Sequence, residues 1–89
     1  MDRRERARLI RKIAKEHPEV EDVSVKTKRW TLGEGVWVRV IIKDKDSLQD
    51  FIAQREHCQK VRWELEKATE HLGKNIYFLV YFKSEIKEN

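Results

Sequence analysis

Residues 47–72, SLQDFIAQREHCQKVRWELEKATEHL, carry a long helical pattern in a chain of only 89 residues. The segments on either side read as strands, so the run must act as a helix covering a sheet. Asp46 and Ser47 offer short side-chain oxygens for an N-cap. Asp50 places a negative charge in the first turn, where the helix dipole favours one. Leu48, Phe51, Cys58, Val61, Leu65, Ala68 and Leu72 recur at helical spacing, and Gly73 follows them as a helix-ending glycine. The run would measure about 39 Å, whereas a strand of eight residues spans about 27 Å. It therefore overhangs its sheet or breaks, and Gln54, which interrupts the apolar stripe, marks the expected break.

The rest of the chain supplies the sheet and a second helix. Asp2–Glu16 predicts a helix with Ala7, Ile10, Ile13 and Ala14 on its apolar side, ended by His17-Pro18. Glu19–Leu32 predicts a first strand in which Val23, Val25 and Thr27 alternate with Ser24, Lys26 and Lys28. Trp30 shares the parity of Lys26, so either a bulge shifts the phase or Trp30 extends the outer face. Gly33-Glu34-Gly35 is the expected hairpin connection to a second strand, Val36–Lys43. Asp44, Lys45 and Asp46 form a polar turn into the long helix, and a third strand, Asn75–Lys83, follows it. The expected fold is α+β: a two-layer α/β sandwich of order α-β-β-α-β. It has a three-stranded, mainly antiparallel sheet with both helices on one face. One domain occupies 1–89, with 83–89 a frayed tail.

Strand parity then divides the sheet. Val23, Val25, Val36, Val38, Val40, Ile42, Ile76, Phe78, Val80 and Phe82 are assigned to the helix-facing core. The other face is left with Lys26, Lys28, Trp30, Trp37, Arg39, Ile41, Tyr77, Leu79 and Tyr81. A contiguous apolar patch of this kind marks an interface. One reading packs it on a second copy, sheet to sheet or edge to edge, as a homodimer. Another stacks bases of RNA or single-stranded DNA on the aromatics, with Lys and Arg on phosphates. A third covers it with another part of the same chain. On the long helix, Ile52 and Trp63 lie away from the core stripe and form a second candidate contact. The alternative there is a Trp63 ring lying under neighbouring long side chains such as Gln59 and Lys67.

The net charge of +4 resides entirely in residues 1–16, because the remainder holds 13 basic and 13 acidic residues. Within that segment Arg4, Arg8, Arg11 and Lys15 form a stripe, which reads as a solvated face or as a polyanion-binding surface joined by Lys26, Lys28 and Arg39. The helix and the aromatic face lie on opposite sides of the sheet, which argues against one shared footprint.

Enzymatic chemistry has no motif to rest on. His57 and Cys58 are adjacent, so they point about 100° apart on a helix and chelate poorly. Cys58 falls on the buried stripe, His17 tops the first helix, and His71 has no second ligand at helical spacing. The glycines are too few and wrongly placed for a phosphate loop. A single cysteine excludes an internal disulfide framework. The expectation is no cofactor, no metal, no small-molecule substrate and no membrane span, with a cytoplasmic location.

The element order, with EHPEVEDVSV (Glu16–Val25) leading into the first strand, resembles the cytoplasmic domain of cation-diffusion-facilitator transporters. With the long helix broken in two, it is also similar to type II K-homology folds. The metal ligands of the first and the GxxG loop of the second have no counterpart here, so the resemblance implies a fold and not a site. The functional expectation is a small non-enzymatic interaction domain that self-associates, with a nucleic-acid-binding module as the alternative.

Overall fold

The structure, a computed structural model, describes residues 2–31, 33–45 and 50–85. Its order is α1 (Arg3–Glu16), β1 (Val20–Trp30), β2 (Gly33–Ile42), α2 (Phe51–Thr69), β3 (Ile76–Phe82), with short 3-10 turns at Glu70–Leu72 and Lys83–Glu85. The sheet order is β1-β2-β3. β1 and β2 are antiparallel from Trp30↔Gly33 back to Val20↔Ile42. β2 and β3 are parallel from Val36↔Ile76 to Ile42↔Phe82, so the sheet is mixed.

Both helices pack on one face. Ile10 and Ala14 of α1 and Cys58, Val61 and Leu65 of α2 join Val20, Val23, Val36, Val38, Val40, Ile42, Phe78 and Phe82 in one core. Val25, Ile76 and Val80 of the expected core set are half-buried against it. Helix α1 starts at Asp2, whose carboxylate accepts from the Arg4 N–H at 2.8 Å. It stops at His17, held in extended backbone by the proline that follows.

Several expectations need correction. The expected cap at Asp46 and Ser47, Leu48 and the loop residue Leu32 lie outside the described residues. Asp50 is the N-cap of α2: its carboxylate accepts from the Ile52 N–H at 3.2 Å. From there the helix is continuous through Gln54, which removes the broken-helix condition of the K-homology comparison. Its 19 residues measure about 28 Å and only slightly outrun the seven residues, about 23 Å, of β3. Phe51, expected in the core, sits in the outrunning first turn at 69% exposure. Ala68 is also exposed, and Thr69 takes its place in the core at 1%. Four-residue steps from Leu65 keep the buried line on Thr69, and the hydroxyl is satisfied by donating to the Leu65 carbonyl at 2.9 Å.

Gly33, Glu34 and Gly35 are not the hairpin loop. They are the first residues of β2, and the register leaves only residues 31 and 32 between the strands. The pairing runs without interruption from Asp22 to Trp30, so no bulge shifts Trp30. The one irregularity lies between Val20 and Asp22. The start of the expected frayed tail is tied down: the Ser84 N–H donates to Asp44 at 3.0 Å and the Phe82 N–H to Glu85 at 3.3 Å. Residues 86–89 lie outside the described set.

Candidate interaction face

The outward parity of the sheet places the expected residues side by side. Lys26 pairs with Trp37, which in turn pairs with Tyr77; Arg39 pairs with Leu79 and Ile41 with Tyr81. Trp37 and Tyr77 stack with ring centroids 4.4 Å apart, a separation that suits offset aromatic pairs. Gly35 makes room for the third ring. A Cβ there would stand 2.8 Å from Cη2 of Trp30 and 3.3 Å from Cε2 of Tyr77. The absent side chain of Gly35 thus lets Trp30, Tyr77 and Trp37 form one aromatic surface, continued by Leu79, Ile41 and Tyr81. Trp30, Tyr77 and Leu79 keep 45%, 39% and 48% exposure.

The cations of this face already meet its rings. Lys28 Nζ lies 5.9 Å from the Trp37 centroid, and the Arg39 guanidinium 5.9 Å from that of Tyr81. The Trp37 indole N–H is enclosed and has no hydrogen-bond partner among the described residues. Its desolvation costs about 1–3 kcal/mol, which the stack on Tyr77, worth about 0.5–1.5 kcal/mol, offsets in part.

The second candidate surface lies on α2. Ile52 and Trp63, three turns apart on one line, are both largely exposed. Lys67 Nζ sits 5.8 Å from the Trp63 centroid, as expected for a ring under a long neighbour. The basic stripe Arg4, Arg8, Arg11 and Lys15 is exposed on α1, with Lys15 beside Asp22 at 3.9 Å. Because α1 packs on the core face, the stripe is separated by the sheet from Lys26, Lys28 and Arg39. The structure does not bring the two basic sets together.

Three features escaped sequence reasoning because they join distant segments. Arg6, outside the basic stripe, reaches over Gly73 to donate to the Lys74 carbonyl and closes the end of α2 onto α1. Glu19 binds Lys45 at 3.0 Å and lies 3.4 Å from His57. The Lys45 hydrogen bond, helped by His57, holds the Glu19 carboxyl below its usual range. A groove of about 240 Å³ opens between α2 and β3, lined by Arg55, Gln59, Arg62, Leu79 and Tyr81.

His17 and His57 serve the fold. Nδ1 of His17 accepts from the Glu19 N–H at 3.1 Å, so the proton on Nε2 faces Glu64 at 3.1 Å. Burial pushes the Cys58 thiol up. No group of three or more His, Cys, Asp or Glu able to hold a metal ion occurs among the described residues. None of their helices is long and apolar enough to cross a membrane.

No protein-family model matches the chain, and no characterised protein matches it by sequence. Solved structures do match in fold. A MamM point variant superposes with a TM-score of 0.59 at 15% identity, covering 93% of this chain and 100% of that one. A MamM CTD fragment gives 0.55 at 14%, covering 92% and 98%. A nickel form of a MamM CTD variant gives 0.57 at 13%, covering 90% and 98%. At these identities the likeness shows the α+β fold.

Proposed function

We propose that the chain is a non-enzymatic interaction domain that self-associates, with the outer sheet face as its main contact surface and the Ile52/Trp63 line as a lesser one. The observation that carries this reading is the continuous Trp30–Tyr77–Trp37 surface with Leu79, Ile41 and Tyr81. In a chain of 89 residues it is a large apolar area that the described helices leave uncovered. A contiguous aromatic patch with basic residues interspersed matches the composition of protein interfaces, where Trp, Tyr and Arg are enriched. The fold likeness to the MamM CTD structures supports a domain of this shape and size. The second reading, RNA or single-stranded DNA, gains no observation of its own, since the two basic sets lie on opposite layers.

Sedimentation equilibrium from micromolar to millimolar concentration tests the reading. A reversible dimer is expected, weakened by Leu79→Asp, a change at a half-exposed position that leaves the core intact. A monomer throughout the range would refute self-association.

A further inference from the structure

This inference rests on the self-association reading and narrows its contact to the β3 margin of the outer face, where Tyr77 and Leu79 lie, leaving Trp30 and Trp37 on the open part of that face. We propose that the partner is a second copy docked along the open edge of β3, two-fold related, so that two three-stranded sheets join into one of six strands.

The backbone of β3 is arranged for it. Among the described residues β3 is the last strand in the sheet, paired only with β2. The Val36 N–H donates to the Asn75 carbonyl at 2.8 Å, which turns Asn75 toward β2. Strand alternation then turns Tyr77, Leu79 and Tyr81 the same way, and Ile76, Phe78, Val80 and Phe82 toward the open edge. The Phe82 N–H is taken by Glu85 within the chain. Among the described residues nothing pairs with Ile76, Phe78 and Val80 on this side, and each presents an N–H and a C=O. Antiparallel pairing centred on Phe78 sets Ile76 opposite Val80 of the second copy and makes about six backbone hydrogen bonds. It also sets Tyr77 opposite Leu79 of the second copy on the outer face. Those are two of its most exposed apolar residues, at 39% and 48%.

Charge selects a second copy over an arbitrary extended peptide. Helix α2 runs antiparallel to β3, and the groove between them is polarised. Arg55 and Arg62 line it beside Phe78–Tyr81. Glu66 and Glu70 line its continuation beside Asn75, Ile76 and Phe78. A two-fold axis at Phe78 exchanges the ends, so bases of one copy face acids of the other, with Arg62 nearest Glu66 of the second copy. A uniformly acidic peptide would satisfy one half and repel the other. An isologous interface requires this self-complementarity.

Charge reversal at low salt tests the geometry. Arg62→Glu and Glu66→Arg alter half-exposed side chains, 54% and 46%, that pair with each other at 3.9 Å along α2; losing so exposed a pair costs the helix little, and far-ultraviolet circular dichroism should be unchanged. Each variant alone meets like charge at both symmetric contacts and should weaken dimerisation about tenfold. Mixing the two variants gives an acidic copy opposite a basic one and should restore association, as should combining both changes in one chain. A native dimer indifferent to both reversals would overturn the edge geometry and leave self-association standing. A native monomer would overturn both.

Discussion

Thr69 offers the clearest separation of packing from hydrogen bonding in this core. Its side chain is 1% exposed, and Oγ1 donates to the Leu65 carbonyl at 2.9 Å. That carbonyl is also the i→i+4 acceptor of the helix, so removing the hydroxyl does not orphan it. Thr69→Val keeps the β-branch and the shape. It loses a hydrogen bond worth about 0.5–1.5 kcal/mol net and gains a buried methyl worth about 0.8 kcal/mol. The balance should fall within about 0.7 kcal/mol of zero. Thr69→Ser keeps the hydroxyl and loses the methyl, which costs about 1 kcal/mol with the residual cavity included. In a domain of this size that lowers Tm by about 4–8 °C. Thr69→Ala loses both groups, but its better helix propensity returns about 0.6 kcal/mol. It should resemble the serine variant. The expected order is threonine and valine together, then serine and alanine. Urea unfolding followed by circular dichroism, at one fixed protein concentration because self-association would add to apparent stability, measures it. A valine variant losing more than about 1.5 kcal/mol beside a neutral serine variant would refute the reasoning. It would show that the hydroxyl holds the end of α2.

Two further outcomes follow from named contacts. Glu19 titrates below its usual range when folded, so its pairing with Lys45 and His57 stabilises above the unfolded carboxylate value of 4.5 and is lost as pH falls through the lower folded value. Glu19→Gln should therefore cost up to about 1 kcal/mol at neutral pH and flatten the loss of stability in acid, as read from urea midpoints across that range; equal acid sensitivity in both proteins would exclude Glu19 as a source. At Gly35, alanine would place a Cβ 2.8 Å from the Trp30 ring and swing that ring outward. The fluorescence maximum should shift to the red with stability changed by less than about 1 kcal/mol, because the strand gains what glycine cost it; an unchanged spectrum would show that Trp30 does not lie over Gly35.

Much of the inner face was legible because period-two alternation survives tertiary packing: the ten residues assigned to it are all buried or half-buried. The failures have physical causes. Gly33-Glu34-Gly35 has turn composition, but its glycines serve the sheet, with Gly35 leaving space for a ring on the neighbouring strand. Only the paired register reveals that need. Ala68 and Thr69 differ by one step of the helix, and hydropathy favoured the alanine. A threonine that bonds back to its own helix is as buried as any aliphatic. The outward face was legible as a set of residues. The links from Arg6 to Lys74 and from Glu19 to Lys45 and His57 were not, since nothing local marks their partners. The charge polarity beside β3 appears only once α2 is laid against the strand.

The distribution of outward residues across the sheet bears on how two copies would meet under the proposed self-association. On β1 the outward residues are Ser24, Lys26 and Lys28, with Trp30 at the strand end over Gly35. On β2 they are Trp37, Arg39 and Ile41, and on β3 Tyr77, Leu79 and Tyr81. Polar character thus falls from the β1 edge to the β3 edge. Lysines on an edge strand oppose pairing with another chain, and β1 carries them, while the outward residues of β3 include no charge. Stacking two sheets face to face would be served best by an apolar centre with polar margins on both sides. Here one margin is polar and the other is apolar with unpaired backbone groups beside it. That asymmetry favours joining two sheets through β3, which buries the apolar margin at the new centre and leaves the lysine-bearing β1 strands at both outer edges of the six-stranded sheet.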